Sequence, residues 1–96
     1  MKLRWANRAR DDRRALISFV EEQSPIAAFV LDQRIEEALH RLIEYPYSGR
    51  VGRAPDTREL VILRTPYIAI YFIDDRGIRI TRLIHGAQQW PPRKAN

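Results

Sequence analysis

The sequence predicts an α+β domain: an antiparallel sheet with a two-helix hairpin on one face, in the order β-α-α-β-β-β. Two observations carry this. Apolar residues recur at helical spacing up to about residue 45, and at a spacing of two from about residue 58. A loop holding Pro46, Gly49, Gly52 and Pro55 separates the two regimes. With 96 residues, 45% hydrophobic and 30% charged, the chain suits one globular domain, 1–96. Its helical hairpin covers about residues 8–45 and its sheet lies mainly in 58–85.

Leu3-Arg4-Trp5 alternates and predicts a first strand. Asn7 is the expected N-cap of the first helix, with Asp11 and Asp12 in or near its first turn. Ala9, Leu16, Phe19 and Val20 mark its apolar side, over about Arg8 to Gln23. Ser24-Pro25 restarts the helix: serine caps, and proline at the first position gives up an amide that has no intrahelical partner. Ala27, Leu31, Ile35, Ala38 and Leu42 then form a stripe running to about Glu44, with Leu39, His40 and Arg41 on the solvent side.

Beyond the loop come Glu59–Arg64, Tyr67–Ile73 and Ile78–Ile84, β-branched and aromatic runs parted by Thr65-Pro66 and by Asp74-Asp75-Arg76-Gly77. The middle run is apolar on both faces and should be central, so Tyr67 and Tyr71 read as core or sheet-face residues before they read as base-stacking platforms. On simple alternation Arg82 shares a face with Ile78, Ile80 and Ile84. An ion pair with Glu59 or a helix carboxylate is then as well supported as a partner contact. His85 ends the last strand without a second base beside it, so a local hydrogen bond is expected of it. Trp90 is a cap on the core or a partner contact, and Pro91-Pro92 stops any tail helix.

Composition narrows the chemistry. There is no cysteine, hence no disulfide, thiolate nucleophile or Cys-based zinc site, and two histidines do not make a metal cluster; no metal or cofactor is expected. No apolar run approaches a membrane span or a signal segment, so a soluble, cytoplasmic protein is expected. The net charge of +5 is uneven: residues 1–50 carry 9 basic and 8 acidic side chains, residues 51–96 carry 8 and 4. Arginine supplies 15 of the 17 cations, and its planar fork suits carboxylate or phosphate. A basic second half predicts an acidic partner, either nucleic acid or an acidic protein segment.

Several strings, taken together and in order, resemble the RelE/ParE superfamily of type II toxin–antitoxin toxins over nearly the whole chain. They are Leu3-Arg4-Trp5, Tyr45-Pro46 with Gly49-Arg50, Arg58-Glu59-Leu60-Val61, Thr65-Pro66-Tyr67 with Tyr71, and Arg82-Leu83-Ile84-His85-Gly86-Ala87. The superfamily divides in function. RelE-like members are ribosome-dependent ribonucleases that set lysines and arginines around a scissile phosphate, whereas ParE-like members inhibit DNA gyrase and lack that set. Matched on Tyr67 and Tyr71, the ribonuclease cations fall here at Glu59, Val61, Ile68 and near Ala87. A carboxylate and three apolar groups cannot stabilise developing phosphate charge.

The resemblance therefore implies a ParE-like toxin that poisons gyrase–DNA complexes by protein contact. A cognate antitoxin would neutralise it with an acidic C-terminal segment, and operator DNA would be reached only through that antitoxin. Arg58, Arg64, Tyr67, Arg82, His85 and Trp90 are the expected partner-binding residues. The alternative is a RelE-like mRNA endoribonuclease using Arg58, Arg64, Arg82 and His85.

Overall fold

Ser24 divides the helical half of the chain. Its hydroxyl accepts a hydrogen bond from the Ala27 N–H at 3.1 Å, the Ser24 N–H closes the preceding helix on the Val20 carbonyl, and Pro25 takes the first position of the next. A computed structural model describes residues 1–92; Arg93 and Lys94 of the basic half lie outside the described residues. The elements are β1 (Leu3–Trp5), α1 (Asn7–Gln23), α2 (Pro25–Glu44), β2 (Arg50–Val51), β3 (Arg58–Val61), β4 (Tyr67–Asp74) and β5 (Gly77–His85). They form one five-stranded sheet in the order β1-β5-β4-β3-β2.

The order of helices and strands is the expected one, with the two-residue β2 added between α2 and β3. From β2 to β5 the sheet is antiparallel; β1 joins it parallel to β5, Leu3 facing Ile78 and Trp5 facing Ile80. The sheet is therefore mixed. Two successive hairpins return β5 to the direction of β1, and nothing in a three-residue strand announces that pairing.

Asn7 is not the cap. Ala6 holds that position with no side-chain bond, because its N–H still bonds the Ile80 carbonyl at 2.9 Å. The helix starts at the first residue free of the sheet. On α2 the buried stripe is Ala28, Leu31, Ile35, Ala38, Leu39 and Leu42. Ala27 is exposed and Leu39 is not, the reverse of the expected assignment, since a stripe wide enough to meet a neighbouring helix also takes the positions three and four residues from each anchor. Phe19 is exposed too, while Leu16, Ile17 and Val20 pack against the core.

The inner face of the sheet meets the helical hairpin through Leu60, Ala69, Tyr71, Ile78, Ile80 and Leu83. Burying each of the larger of these side chains contributes about 1.5–3 kcal/mol. A bulge then changes the bookkeeping of faces. Ile70 pairs with Arg82 but Tyr71 pairs with Ile80, leaving Thr81 as an extra residue. Ile84 consequently sits with Ile68 and Ile70 on the outer face, while Ile78 and Ile80 stay on the inner one. Arg82 therefore does not share a face with Ile78 and Ile80.

Gly77 closes the β4–β5 hairpin at φ +117°, where a Cβ would run into the Lys2 backbone, so the turn requires glycine.

Candidate functional site

Among the described residues no helix covers the outer face of the sheet, yet Glu59 and Ile70 on it are buried. Two segments close it. From one side comes the stretch after β2. Glu59 Oε1 accepts from Arg50 Nη2 at 2.9 Å, and Oε2 accepts from Arg53 Nε at 3.1 Å and from the Arg53 N–H at 2.9 Å. Burial alone would raise the Glu59 pKa, but these charge-assisted bonds from Arg53 and Arg50 outweigh it and hold the carboxyl down at about 2. Glu59 is thus an ionised, fully engaged carboxylate at the centre of the face. From the other side Trp90 folds onto Ile68, Ile70 and Ile84; its indole N–H is buried without a partner, and the Arg82 guanidinium lies 5.6 Å from the ring centroid.

Arg82 is held by a helix carboxylate, not by Glu59. Asp12 Oδ2 accepts from Arg82 Nε at 2.7 Å and from the Leu83 N–H at 2.9 Å. That N–H is available because β1 pairs with β5 only as far as Ile80, leaving the edge beyond it open. Beside this pair, Tyr67 meets His85 edge-on, with ring centroids 5.6 Å apart. His85 Nδ1 accepts from the Ala87 N–H at 3.0 Å, a local bond of the expected kind. Tyr67, Arg82 and His85 share one hollow with Leu16, Phe19 and Gln88.

The other two arginines of the expected set lie elsewhere. Arg58 donates to the carbonyls of Gly49 at 2.7 Å and Tyr47 at 3.3 Å, and lies over the Tyr47 ring. It fastens the loop after α2, together with buried Tyr71. The Tyr71 hydroxyl donates to the Pro46 carbonyl at 2.8 Å and accepts from the Gly49 N–H at 3.0 Å. Burial pushes the Tyr71 pKa up, against the pull of the Gly49 N–H and the Arg58 charge. Arg64 stands in the β3–β4 turn at φ +63°, a left-handed conformation costing a non-glycine residue roughly 1–2 kcal/mol. Arg34 of α2 donates to its carbonyl at 3.0 Å.

A concavity of about 670 Å³ lies between α2 and this turn, lined by Arg34, Glu36, Glu37, His40, Arg41, Leu63 and Arg64. It continues past Arg41 and Leu63 toward Leu60, Val61 and Tyr45, and past Arg34 and Arg64 toward Ala27, Val30, Leu31 and Tyr67. A groove thus follows the length of α2. The six expected partner residues are divided: Tyr67, Arg82, His85 and Trp90 gather at the end of β5, Arg64 faces the groove, and Arg58 serves the loop.

Residues 3–90 of the chain match the family model "ParE toxin of type II toxin-antitoxin system, parDE". The chain belongs to that family. Over 94% of its length the toxin is 41% identical to Y4kP of Sinorhizobium fredii, itself described as a toxin, covering 93% of that protein. It is 36% identical to toxin RelE2 of Caulobacter vibrioides over 88% of its own length and 93% of the relative's. Among solved structures it resembles a chain of the chromosomal ParDE TA system from P. aeruginosa. There the TM-score is 0.77 at 27% identity, with coverage of 88% of this chain and 95% of that one. A chain of the intact E. coli RelBE toxin–antitoxin complex shares the fold, with a TM-score of 0.60 at 20% identity over 91% and 96% of the two chains. The protein is therefore a toxin of a type II toxin–antitoxin system, with an antitoxin as its partner.

Sequence reasoning allowed Arg82 a helix carboxylate without singling out Asp12; it missed Arg50 and Arg53 as the partners of Glu59, and missed Arg34 and Arg41 as lining of the groove. Asp12, Arg50 and Arg53 are fixed by non-local contacts. Arg34 and Arg41 had a signal, since the sequence sets both off the apolar stripe of α2. Among the described residues no group of three His, Asp or Glu is placed to hold a metal ion, and no helix is long and apolar enough to cross a membrane.

Proposed function

We propose that this toxin inhibits DNA gyrase by protein–protein contact, without ribonuclease chemistry, acting in the cytoplasm as a single domain. One observation carries the reading. The positions matched to ribonuclease cations, Glu59, Val61 and Ile68, lie together on the outer face through the pairs Glu59–Ile70 and Val61–Ile68. Their centre is an anion already engaged by Arg50 and Arg53, and Ile68 lies beneath Trp90. A substrate phosphate would meet a carboxylate and aliphatic side chains there.

The ribonuclease alternative needs Arg58, Arg64, Arg82 and His85 to act on one phosphate. Arg58 is spent on carbonyls at the β2 end of the sheet, Arg82 on Asp12, and Arg64 belongs to the turn beside α2. Neutralisation would come from an antitoxin's acidic C-terminal segment, and contact with operator DNA would run only through that antitoxin. The deciding experiment compares two assays with the purified protein. Blocked gyrase supercoiling with ribosome-bound mRNA left intact is expected; A-site mRNA cleavage without gyrase inhibition would reverse the assignment.

A further inference from the structure

The β3–β4 turn places an arginine where glycine or asparagine is the easy choice. Arg64 is left-handed at φ +63°, its carbonyl is pinned by Arg34 at 3.0 Å, and its side chain is exposed. Arg41, about two helical turns along α2 from Arg34, lines the same hollow. None of these three arginines is ion-paired to a carboxylate among the described residues. Of the two glutamates nearby, Glu36 is committed to Arg13 at 2.7 Å, so Glu37 alone opposes three cations. A strained backbone, like charges and a groove of about 670 Å³ coincide, and the Arg34 bond to the turn needs neither the Arg64 nor the Arg41 side chain. Such a breach of local rules marks a place shaped by a partner.

We infer that the hollow reads a carboxylate: an Asp or Glu of the antitoxin segment seats among Arg34, Arg41 and Arg64, with an apolar residue docked on each side of it. This rests on the proposal that an acidic antitoxin segment neutralises the toxin, and adds the place and the pattern. The occupant is a peptide because the cations stop at both ends of the hollow. The groove turns aliphatic toward Val30 on one side and toward Leu60 on the other. A phosphodiester chain repeats its charge at every residue and would lay its next phosphates on those side chains. From Ala27 to Glu44, α2 runs about 26 Å, the span of roughly eight extended residues. Arg58 and Arg82 take no part.

The test uses peptides of about twelve residues, enough to span the groove, displayed on phage and selected against the purified full-length toxin. An acidic residue between two apolar positions should be enriched. For the tightest peptide, changing that acid to its amide, or making Arg64→Gly in the toxin, should each weaken binding about tenfold. Together they should weaken it hardly more than either alone, since both remove one contact. Arg64→Gly relieves the left-handed strain, so its Tm should hold or rise, which separates lost recognition from lost folding. Selected peptides without an acid, losses that simply multiply, or a duplex DNA oligonucleotide bound with the same dependence on Arg64 would overturn the proposal. Gyrase inhibition is measured apart, so a wrong target and a wrong groove give different results.

Discussion

Glu59 and Arg53 are joined twice, since one carboxylate oxygen accepts both the backbone N–H and the Nε of the arginine. The side chain that sets a carboxylate on this face also fastens the loop after β2 onto β3. Its pKa is lowered from 4.5 to about 2. A carboxyl lowered on folding stabilises the protein above its unfolded pKa, and that stability is lost as pH falls through the folded value. Stability should therefore decline between about pH 4.5 and pH 2, by roughly 2–3 kcal/mol after allowing for solvent screening of the partly exposed guanidiniums. Urea titrations across this range should show the decline in the wild type and a much flatter profile in Glu59→Gln. Parallel profiles would mean that the carboxylate is not ionised by its arginines.

Tyr71 ties the loop after α2 to the sheet by two bonds from one hydroxyl. Tyr71→Phe should cost about 1–3 kcal/mol, because the Pro46 carbonyl and the Gly49 N–H lose their partner together. Gly49→Ala should be at least as damaging, since a Cβ there would approach the Tyr71 hydroxyl oxygen to 2.5 Å. Chemical denaturation of both variants checks this. A Tyr71→Phe protein as stable as wild type would show that water satisfies those groups.

Both helices and four of the five strands were legible because each carries its own periodicity or end signals; Ser24-Pro25 needed no knowledge of the rest of the chain. What was not legible depends on pairing. Arg50-Val51 is a strand only because Glu59 and Arg58 lie opposite. The bulge at Thr81 reverses the faces of β5, so simple alternation misplaced Arg82. The helix began at Asn7 because Ala6 was still bound to Ile80. At the site, the sequence marked Glu59 as incompatible with phosphate but could not show that it is buried and claimed by one arginine of β2 and one of the loop after it. The three strand and turn arginines looked equivalent, and only the fold separates Arg64, free at the groove, from Arg58 and Arg82.

Asp12 and Arg82 form the most enclosed ion pair among the described residues, their side chains 13% and 15% exposed. Asp12→Ala would strand both the guanidinium and the Leu83 N–H, and should cost about 2–4 kcal/mol. Asp12→Asn retains an acceptor and should cost less. The loss should also persist in high salt, in contrast to the exposed Arg14–Asp11 pair, which contributes little at any ionic strength. Urea midpoints at low and high salt measure all of this. A midpoint for Asp12→Ala within error of wild type would remove the pair from the account of how α1 is held on β5.

His85 remains the side chain most easily mistaken for chemistry. A general base needs a partner within reach of the reacting proton and typically contributes ~10²–10⁴-fold in rate. Here Nδ1 is occupied by the Ala87 N–H, the ring rests against the edge of Tyr67, and the nearest charged pair, Asp12 with Arg82, is closed on itself. The histidine shapes the turn at the end of β5, and glutamine can supply the same acceptor. His85→Gln should therefore keep growth inhibition when the protein accumulates normally, with a stability loss of about 0.5–1.5 kcal/mol. Growth curves under matched expression, with thermal denaturation of the purified variant, decide the matter. Were His85→Gln as stable and abundant as wild type yet wholly non-toxic, the imidazole would be acting on a target. The ribonuclease assay would then be the one to repeat first, because only that reading gives a lone histidine a proton to move.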